Sequence, residues 1–204
     1  MWGDGSAIAL CPMSEDVYPY DYRGIVQHEA GGHAFGKLGD EYVYHNAFIQ
    51  TCTCTCCDHV DEFNRMKSYG FYDNLSLTGN MYDVPWNHMI FDPQFSGTVD
   101  IYEGGFFHTR GIFRSEQNSC MNNNVPYFSA ISREAIVKRI MKYAGLPYSY
   151  DAFKANDIPL AKDDIEAASV IEFSRTKGGV PYAVKDQPAP VFMGEKPNFN
   201  EYNK

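Results

Sequence analysis

Apolar residues spaced three or four positions apart predict a helix over residues 23–36. Ile25, Val26, the Ala30 region and Phe35 recur at roughly this spacing, and Gly36 and Gly39 supply a stop signal. We therefore expect a helix in the first quarter of the chain.

A second helix is predicted over residues 127–143, where the separation of apolar and polar positions is the clearest in the chain. Its apolar side consists of Ile131, Ala135, Ile136, Ile140 and Tyr143. Its polar side consists of Arg133, Glu134, Lys138, Arg139 and Lys142. Gly145 and Pro147 are expected to end this helix.

The remaining segments predict short strands and turns. A short apolar run over residues 6–10 indicates a buried strand. Residues 46–125 are rich in Gly, Asn, Asp and Pro, and they offer no convincing long helix. Two strands are predicted there, over 99–107 and 111–114, joined near His108 and Thr109.

The C-terminal part is polar and contains five prolines over residues 148–204. Residues 170–173 and 180–184 are candidate strands. We interpret this part as an extended tail or a small appended sheet.

Composition limits the classes of protein that the chain can belong to. Its 204 residues fit one domain with a tail, and 44% hydrophobic with 21% charged residues is typical of a folded globular protein. A net charge of −9 argues against a nucleic-acid partner, since phosphate favours clustered Lys and Arg. The chain has no run of 18 apolar residues, so no membrane span is predicted.

Four of the six cysteines lie within six residues, at Cys52, Cys54, Cys56 and Cys57. Disulfide geometry is demanding, so thiols this close together cannot all pair with one another easily. A soft-metal thiolate site and an exposed loop with partly paired or reduced thiols both remain open.

Residues 27–42 carry the candidate chemistry, with the sequence QHEAGGHAFGKLGDEY. They nearly match a zinc-hydrolase signature in which two histidines on one helical face hold zinc and the adjacent glutamate is the general base. His28 and His33 are therefore candidate ligands and Glu29 the candidate base. Such a site also needs a third ligand and an open position for water.

The two histidines are five positions apart, one more than in the usual motif. In a regular α-helix this spacing turns them about 140° apart, so they could not bind one ion. An extra residue absorbed as a π-type bulge would bring them to a common face. Gly31 and Gly32 lie inside the interval, and glycine tolerates distorted backbone best.

The segment also resembles the metzincin arrangement, because Gly36 follows His33 by three residues. The position six residues after His33, where that group has its third ligand, is Gly39, and carboxylates follow directly. Asp40 is our preferred third ligand, ahead of Glu41 and then His45.

The sequence GHAFGKLGDEY is similar to the zinc motif of the IgA-peptidase family of bacterial metallopeptidases. A second similarity covers 104–114 and the segment Asn-Ser-Cys-Met that ends at Met121. The resemblance implies an α+β, metzincin-like fold in which Met121 forms the Met-turn below the metal. It also makes 127–143 the C-terminal helix of the catalytic domain.

The resemblance divides the chain into a catalytic domain over 1–145 and the tail over 146–204. Only 27 residues precede His28, and no signal peptide opens the chain, so we expect part of a larger protein that lacks an N-terminal subdomain.

The function implied is that of a secreted or bacterial cell-surface or periplasmic Zn²⁺ endopeptidase acting on extracellular proteins or glycoproteins. One alternative is a catalytically silent, zinc-containing surface module that binds glycoproteins or glycans. Another is a gluzincin-type peptidase whose third ligand is a distant glutamate such as Glu166.

Overall fold

A computed structural model describes residues 22–53 and 59–157, with Ala9, Cys11 and the strand residues 176–177 and 180–181. It contains several helices and a small mixed sheet, which confirms the predicted α+β class. None of the described helices is long and apolar enough to cross a membrane.

The helices are α1 (Tyr22–Val26), a π-helix that continues it (Gln27–Gly36), α2 (Val60–Ser68), α3 (Asn87–Ile90), α4 (Cys120–Asn123), α5 (Ala130–Ala144) and α6 (Tyr150–Asn156). A short 3₁₀ turn covers Ile49–Thr51. The strands are β1 (Val43–Phe48), β2 (Leu75–Ser76), β3 (Tyr102–Gly105), β4 (Phe107–Arg114), β5 (Thr176–Lys177) and β6 (Val180–Pro181).

Strand β4 is the centre of the main sheet. It pairs in parallel with β1 and antiparallel with β2 and β3. The predicted hairpin is confirmed, but its turn lies at Phe106, so that His108 and Thr109 belong to β4 itself. The chain reverses earlier than expected because Gly104 and Gly105 adopt the positive φ angles that a tight turn needs.

The second predicted helix is present as α5, although it begins at Ala130, three residues later than expected. A carboxylate oxygen of Glu116 accepts the Ala130 N–H at 2.6 Å and so satisfies the helix terminus there. Gly145 ends the helix in the left-handed conformation, as predicted.

The apolar and polar faces predicted for α5 are partly wrong. Glu134 is only 1% exposed, because three partners surround its carboxylate, whereas Ile140 on the predicted apolar side is 48% exposed.

Helix α2 was not predicted, although it is nine residues long. It has one buried residue, Phe63, which packs against Phe106 with ring centroids 5.4 Å apart. Val60, Phe63 and Met66 recur every three residues, so an apolar period is present, but the helix spans only nine residues within a segment rich in turn-forming residues.

The core around the sheet and helices consists of two larger groups of buried side chains. One joins the segment before β3 to α5 and α6, and it contains Val84, Trp86, Met89, Phe95, Val99, Ala130, Ile131 and Phe153. The other lies around the sheet and α2, and it contains Ile49, Phe63, Leu75, Phe106 and Ile112.

Phe153 of α6 thus packs into the same core as α5, beyond the predicted boundary at residue 145. The predicted strands over 6–10 and 170–173 lie outside the described residues, Ala9 apart. Of the predicted strand over 180–184, Val180–Pro181 form β6, which pairs with β5 in a two-stranded sheet.

Candidate metal centre

The two histidines lie on a π-helix. The expected distortion is confirmed, and it extends over all ten residues from Gln27 to Gly36 rather than over one bulge. Hydrogen bonds in a π-helix join residues five apart, so His28 and His33 follow one another along the same side. The unusual spacing in the sequence thereby produces a common face.

Close packing explains the glycine within this helix. A Cβ atom at Gly32 would lie 2.3 Å from Sδ of Met121, which is fully buried. The helix ends where Lys37 takes the left-handed conformation (φ 57°), and the Leu38 N–H then donates to the Gly32 carbonyl at 3.1 Å. Met121 thus lies directly below the helix turn that separates the histidines.

Three side chains converge on one point. Nε2 of His28 and Nε2 of His33 are 3.1 Å apart, and each lies 3.0 Å from Oδ1 of Asp40. In a tetrahedral zinc site with bonds of about 2.0–2.2 Å, ligand atoms are about 3.3–3.6 Å apart. Among the described residues, these three form the group that could hold a metal ion.

The opposite nitrogens of both rings are engaged by backbone carbonyls. Nδ1 of His28 donates to the Cys120 carbonyl at 2.9 Å, and Nδ1 of His33 donates to the Leu38 carbonyl at 2.8 Å. Because a carbonyl only accepts, Nδ1 carries the proton of each ring when the ring is neutral, and Nε2 is then the nitrogen that can bind an ion. Two lone pairs and a carboxylate oxygen at such distances favour a cation between them.

The negative charge of Asp40 favours a positive charge on the neighbouring His33. Burial alone would lower the pKa of His33, but the hydrogen bond and the negative charge of Asp40 raise it to about 9. Burial alone would raise the pKa of Asp40, yet hydrogen bonds from His28 and His33 hold it well below its usual range.

The backbone that carries Asp40 is held on several sides. The Phe106 N–H donates to the Asp40 carbonyl, and the Glu41 N–H donates to the Met121 carbonyl, each at 2.8 Å. The buried amide of Asn74 bonds to the residues on either side of Asp40. The backbone around the third ligand, Asp40, is therefore hydrogen-bonded to the β3–β4 turn, to α4 and to the segment before β2.

Glu29 follows His28 directly on the π-helix and is half-buried. Its negative charge is one of the smaller influences that raise the pKa of His33, which places it within electrostatic reach of the cluster. Tyr42 lies on another side, where its ring stacks on His28 at a centroid distance of 6.1 Å. Burial and the charge of Asp40 raise the pKa of the Tyr42 hydroxyl.

The alternative third ligands have other surroundings. Glu41 is fully buried and accepts hydrogen bonds from Asn74 and Ser119, while burial raises its pKa. His45 lies on β1, with its ring 6.4 Å from that of His108. Asp40 is the carboxylate that the structure brings to the histidines.

The distant glutamate, Glu166, lies outside the described residues, as do Cys54, Cys56 and Cys57. Cys52 is described, follows the 3₁₀ turn after β1, and does not belong to the cluster.

The sequence did not reveal Asn74 or Ser119. Ser119 caps α4 by accepting the Met121 N–H at 3.1 Å, and it also donates to Glu41 at 2.5 Å. Asn74 is 35 positions from Gly39 and Ser119 is 78 from Glu41, so no local pattern connects them to the motif. A serine at a helix N-cap was the one local signal present.

A comparison of the chain with protein-family models and with curated proteins finds no match.

Proposed function

We propose that the protein is a zinc-dependent endopeptidase with a metzincin-like site, in which His28, His33 and Asp40 hold Zn²⁺. The observation that carries the proposal is the approach of His28 Nε2, His33 Nε2 and Asp40 Oδ1 to within 3.1 Å of one another. Three protein ligands are typical of a catalytic zinc site, in which a further position remains for water or substrate.

The chemistry of the donors fits the ion. Imidazole nitrogen and carboxylate oxygen are both common zinc ligands. When bound, the ion would act as a Lewis acid on a water molecule and on the carbonyl of the peptide bond.

Glu29 is the residue that distinguishes hydrolysis from metal binding alone. It takes a proton from the attacking water and delivers that proton to the amine that leaves. It follows His28 directly on the π-helix, and its charge is one of the influences that raise the pKa of His33. His28 and His33 keep a fixed orientation through their Nδ1 hydrogen bonds, so they need not reorganise during the reaction.

Substrate and location follow from the resemblance to IgA peptidases, and we extend them to this chain as part of the proposal. The substrate would be an extracellular protein or glycoprotein, cleaved by a secreted or surface-attached bacterial enzyme. Met121 would have the role of the Met-turn methionine, which agrees with its burial below Gly32.

The proposal is tested with the Glu29→Gln variant and the wild-type protein, each loaded with Zn²⁺ and incubated with a denatured protein substrate. We expect wild-type cleavage to fall by at least about 100-fold in the variant, since general-base catalysis contributes about 10²–10⁴-fold. Elemental analysis should find equal zinc in both proteins.

Normal cleavage by Glu29→Gln would refute the mechanism. A wild-type protein that binds zinc tightly but cleaves no peptide bond would favour the silent binding module. Two histidines with one carboxylate also suit Fe²⁺, so iron is measured in the same samples.

A further inference from the structure

The side-chain amide of Asn74 forms hydrogen bonds with the residues directly before and after Asp40, the third ligand. It is fully buried, and it makes three hydrogen bonds of 2.8 Å. Its Oδ1 accepts the Gly39 N–H, while its Nδ2 donates to the Gly39 carbonyl and to a carboxylate oxygen of Glu41. Asp40 stands between these two partners, so the amide restrains the chain on both sides of the ligand.

The segment that carries Asn74 has a strained conformation. Tyr72 has a φ of 64°, in the left-handed region that a bulky residue rarely adopts. Its N–H donates to the Lys37 carbonyl and its carbonyl accepts from Nζ of Lys67, both at 2.8 Å. These contacts hold the turn against the end of the π-helix, which is where Gly39 begins its approach to Asn74.

Gly39 is required for this approach. A Cβ atom there would lie 2.6 Å from the Leu75 side chain and 2.9 Å from Tyr72. Because Gly39 has no side chain, the amide of Asn74 can hydrogen-bond to both the N–H and the carbonyl of Gly39, the two groups that a neighbouring β-strand would otherwise pair with.

The same network reaches a second ligand through Glu41. Ser119 donates to the other carboxylate oxygen of Glu41 at 2.5 Å. The next residue, Cys120, accepts the Nδ1–H of His28 at its carbonyl. Asn74, Glu41 and Ser119 therefore connect the backbone that carries Asp40 to the backbone group that orients His28.

We propose that Asn74 is a positioning residue of the metal centre, and that it holds Asp40 in the ligand set through its bonds to Gly39 and Glu41. The inference rests on the proposed metal centre, but it does not require that the protein cleave peptides. An Asn is specified because one group must accept while the other donates twice. Aspartate has the same shape but would face the Gly39 carbonyl and Glu41 without a proton to donate.

The test measures Zn²⁺ affinity by competition with a chromophoric chelator, and the absorption spectrum of the Co²⁺ form, for the purified full-length protein. We expect Asn74→Asp and Asn74→Ala to bind Zn²⁺ about 10–100-fold more weakly than wild type, as for other residues that orient metal ligands. The Co²⁺ bands should shift in both variants. Ser129→Ala is the matched control, because Ser129 is fully buried, bonds to Ser132 and is not a member of the cluster.

A double-mutant cycle separates positioning from general destabilisation. Once Asp40→Ala has removed the ligand, Asn74→Ala should weaken Zn²⁺ binding no further. Additive losses, or Asn74 variants that bind Zn²⁺ like Ser129→Ala, would overturn the inference while leaving the metal centre intact. A wild-type protein that binds neither Zn²⁺ nor Co²⁺ would overturn both. Should Asn74→Ala fail to fold, Asn74→Asp and Ser119→Ala decide the matter on the same two measurements.

Discussion

His28 donates a hydrogen bond from Nδ1 to the carbonyl oxygen of Cys120, 92 positions further along the chain, over 2.9 Å. This bond determines which ring nitrogen faces the cluster. Cys120 is followed by Met121, which supports the helix turn at Gly32. The short helix α4 thus orients one candidate ligand and packs below the turn that brings the two histidines together.

Zinc should stabilise the folded protein through the cluster. At a free Zn²⁺ concentration 100 times the dissociation constant, binding contributes about 2.7 kcal/mol. For a protein of this size that is a rise in melting temperature of about 5–10 °C. We expect the rise for wild type and for His45→Ala, whose side chain is outside the cluster, and we expect it to disappear in His33→Ala. Calorimetry with and without Zn²⁺ checks this, and an undiminished rise in His33→Ala would contradict the ligand assignment.

The two adjacent glycines of the π-helix should respond differently to alanine. Gly32→Ala places a Cβ atom 2.3 Å from Met121 Sδ, and such overpacking costs about 1–3 kcal/mol. At Gly31 the nearest contact is 3.3 Å from the ring of half-buried Phe128, which can shift, so Gly31→Ala should be nearly neutral. Urea unfolding measures both free energies. The double variant of Gly32→Ala with Met121→Ala should lose less stability than the sum of the two single variants. Equal effects at both glycines would show that the contact with Met121 is unimportant.

Glu134 should make the free energy of unfolding depend on pH in the acidic range. Burial would raise the pKa of its carboxyl, but hydrogen bonds from His88, Tyr148 and Lys138 lower it from 4.5 to about 2. A pKa lowered by folding contributes stability above pH 4.5, and this contribution is lost as the pH falls towards 2. Its size is on the order of 3 kcal/mol. Unfolding free energies measured over this range should fall more steeply for wild type than for Glu134→Gln, and parallel curves would count against the assignment.

An ion pair joins the segment after α6 to α5. Nε and Nη2 of Arg133 lie 2.7 and 2.8 Å from the two carboxylate oxygens of Asp157, whose side chain is 5% exposed. Removal of one partner from a buried pair costs about 3–5 kcal/mol, so Asp157→Ala should lower the free energy of unfolding by roughly 3 kcal/mol. Asp151→Ala is the control, since that side chain is 93% exposed. A negligible effect of Asp157→Ala in urea unfolding would show that this segment contributes little to the folded body.

The parts of the site that could be predicted are those that lie close together along the chain. His28, Glu29 and His33 are within six residues, and the glycines between the histidines are a local sign of a distorted helix. Asp40 follows seven positions after His33, so a single reversal of the chain brings it back. Backbone conformation alone therefore limits where these groups can lie.

The hairpin and α5 were also predictable, since glycine turns and apolar periodicity are local signals. The burial of Glu134 was not, because it depends on His88, 46 positions away, and on Tyr148 after the helix. Helix α2 was not predicted although Val60, Phe63 and Met66 recur every three residues, because it is short and lies among turn-forming residues.

By itself, the sequence determined the motif, the distorted helix that it requires and the chemical types of the candidate ligands. Only the tertiary structure decided that Asp40 rather than Glu41 lies at the histidines, and that Asn74, Ser119 and the Cys120 carbonyl hold the group in place. The physical reason is that orientation depends on hydrogen bonds between segments separated by 35 to 92 positions, whose partners are chosen by packing and leave no period in the sequence.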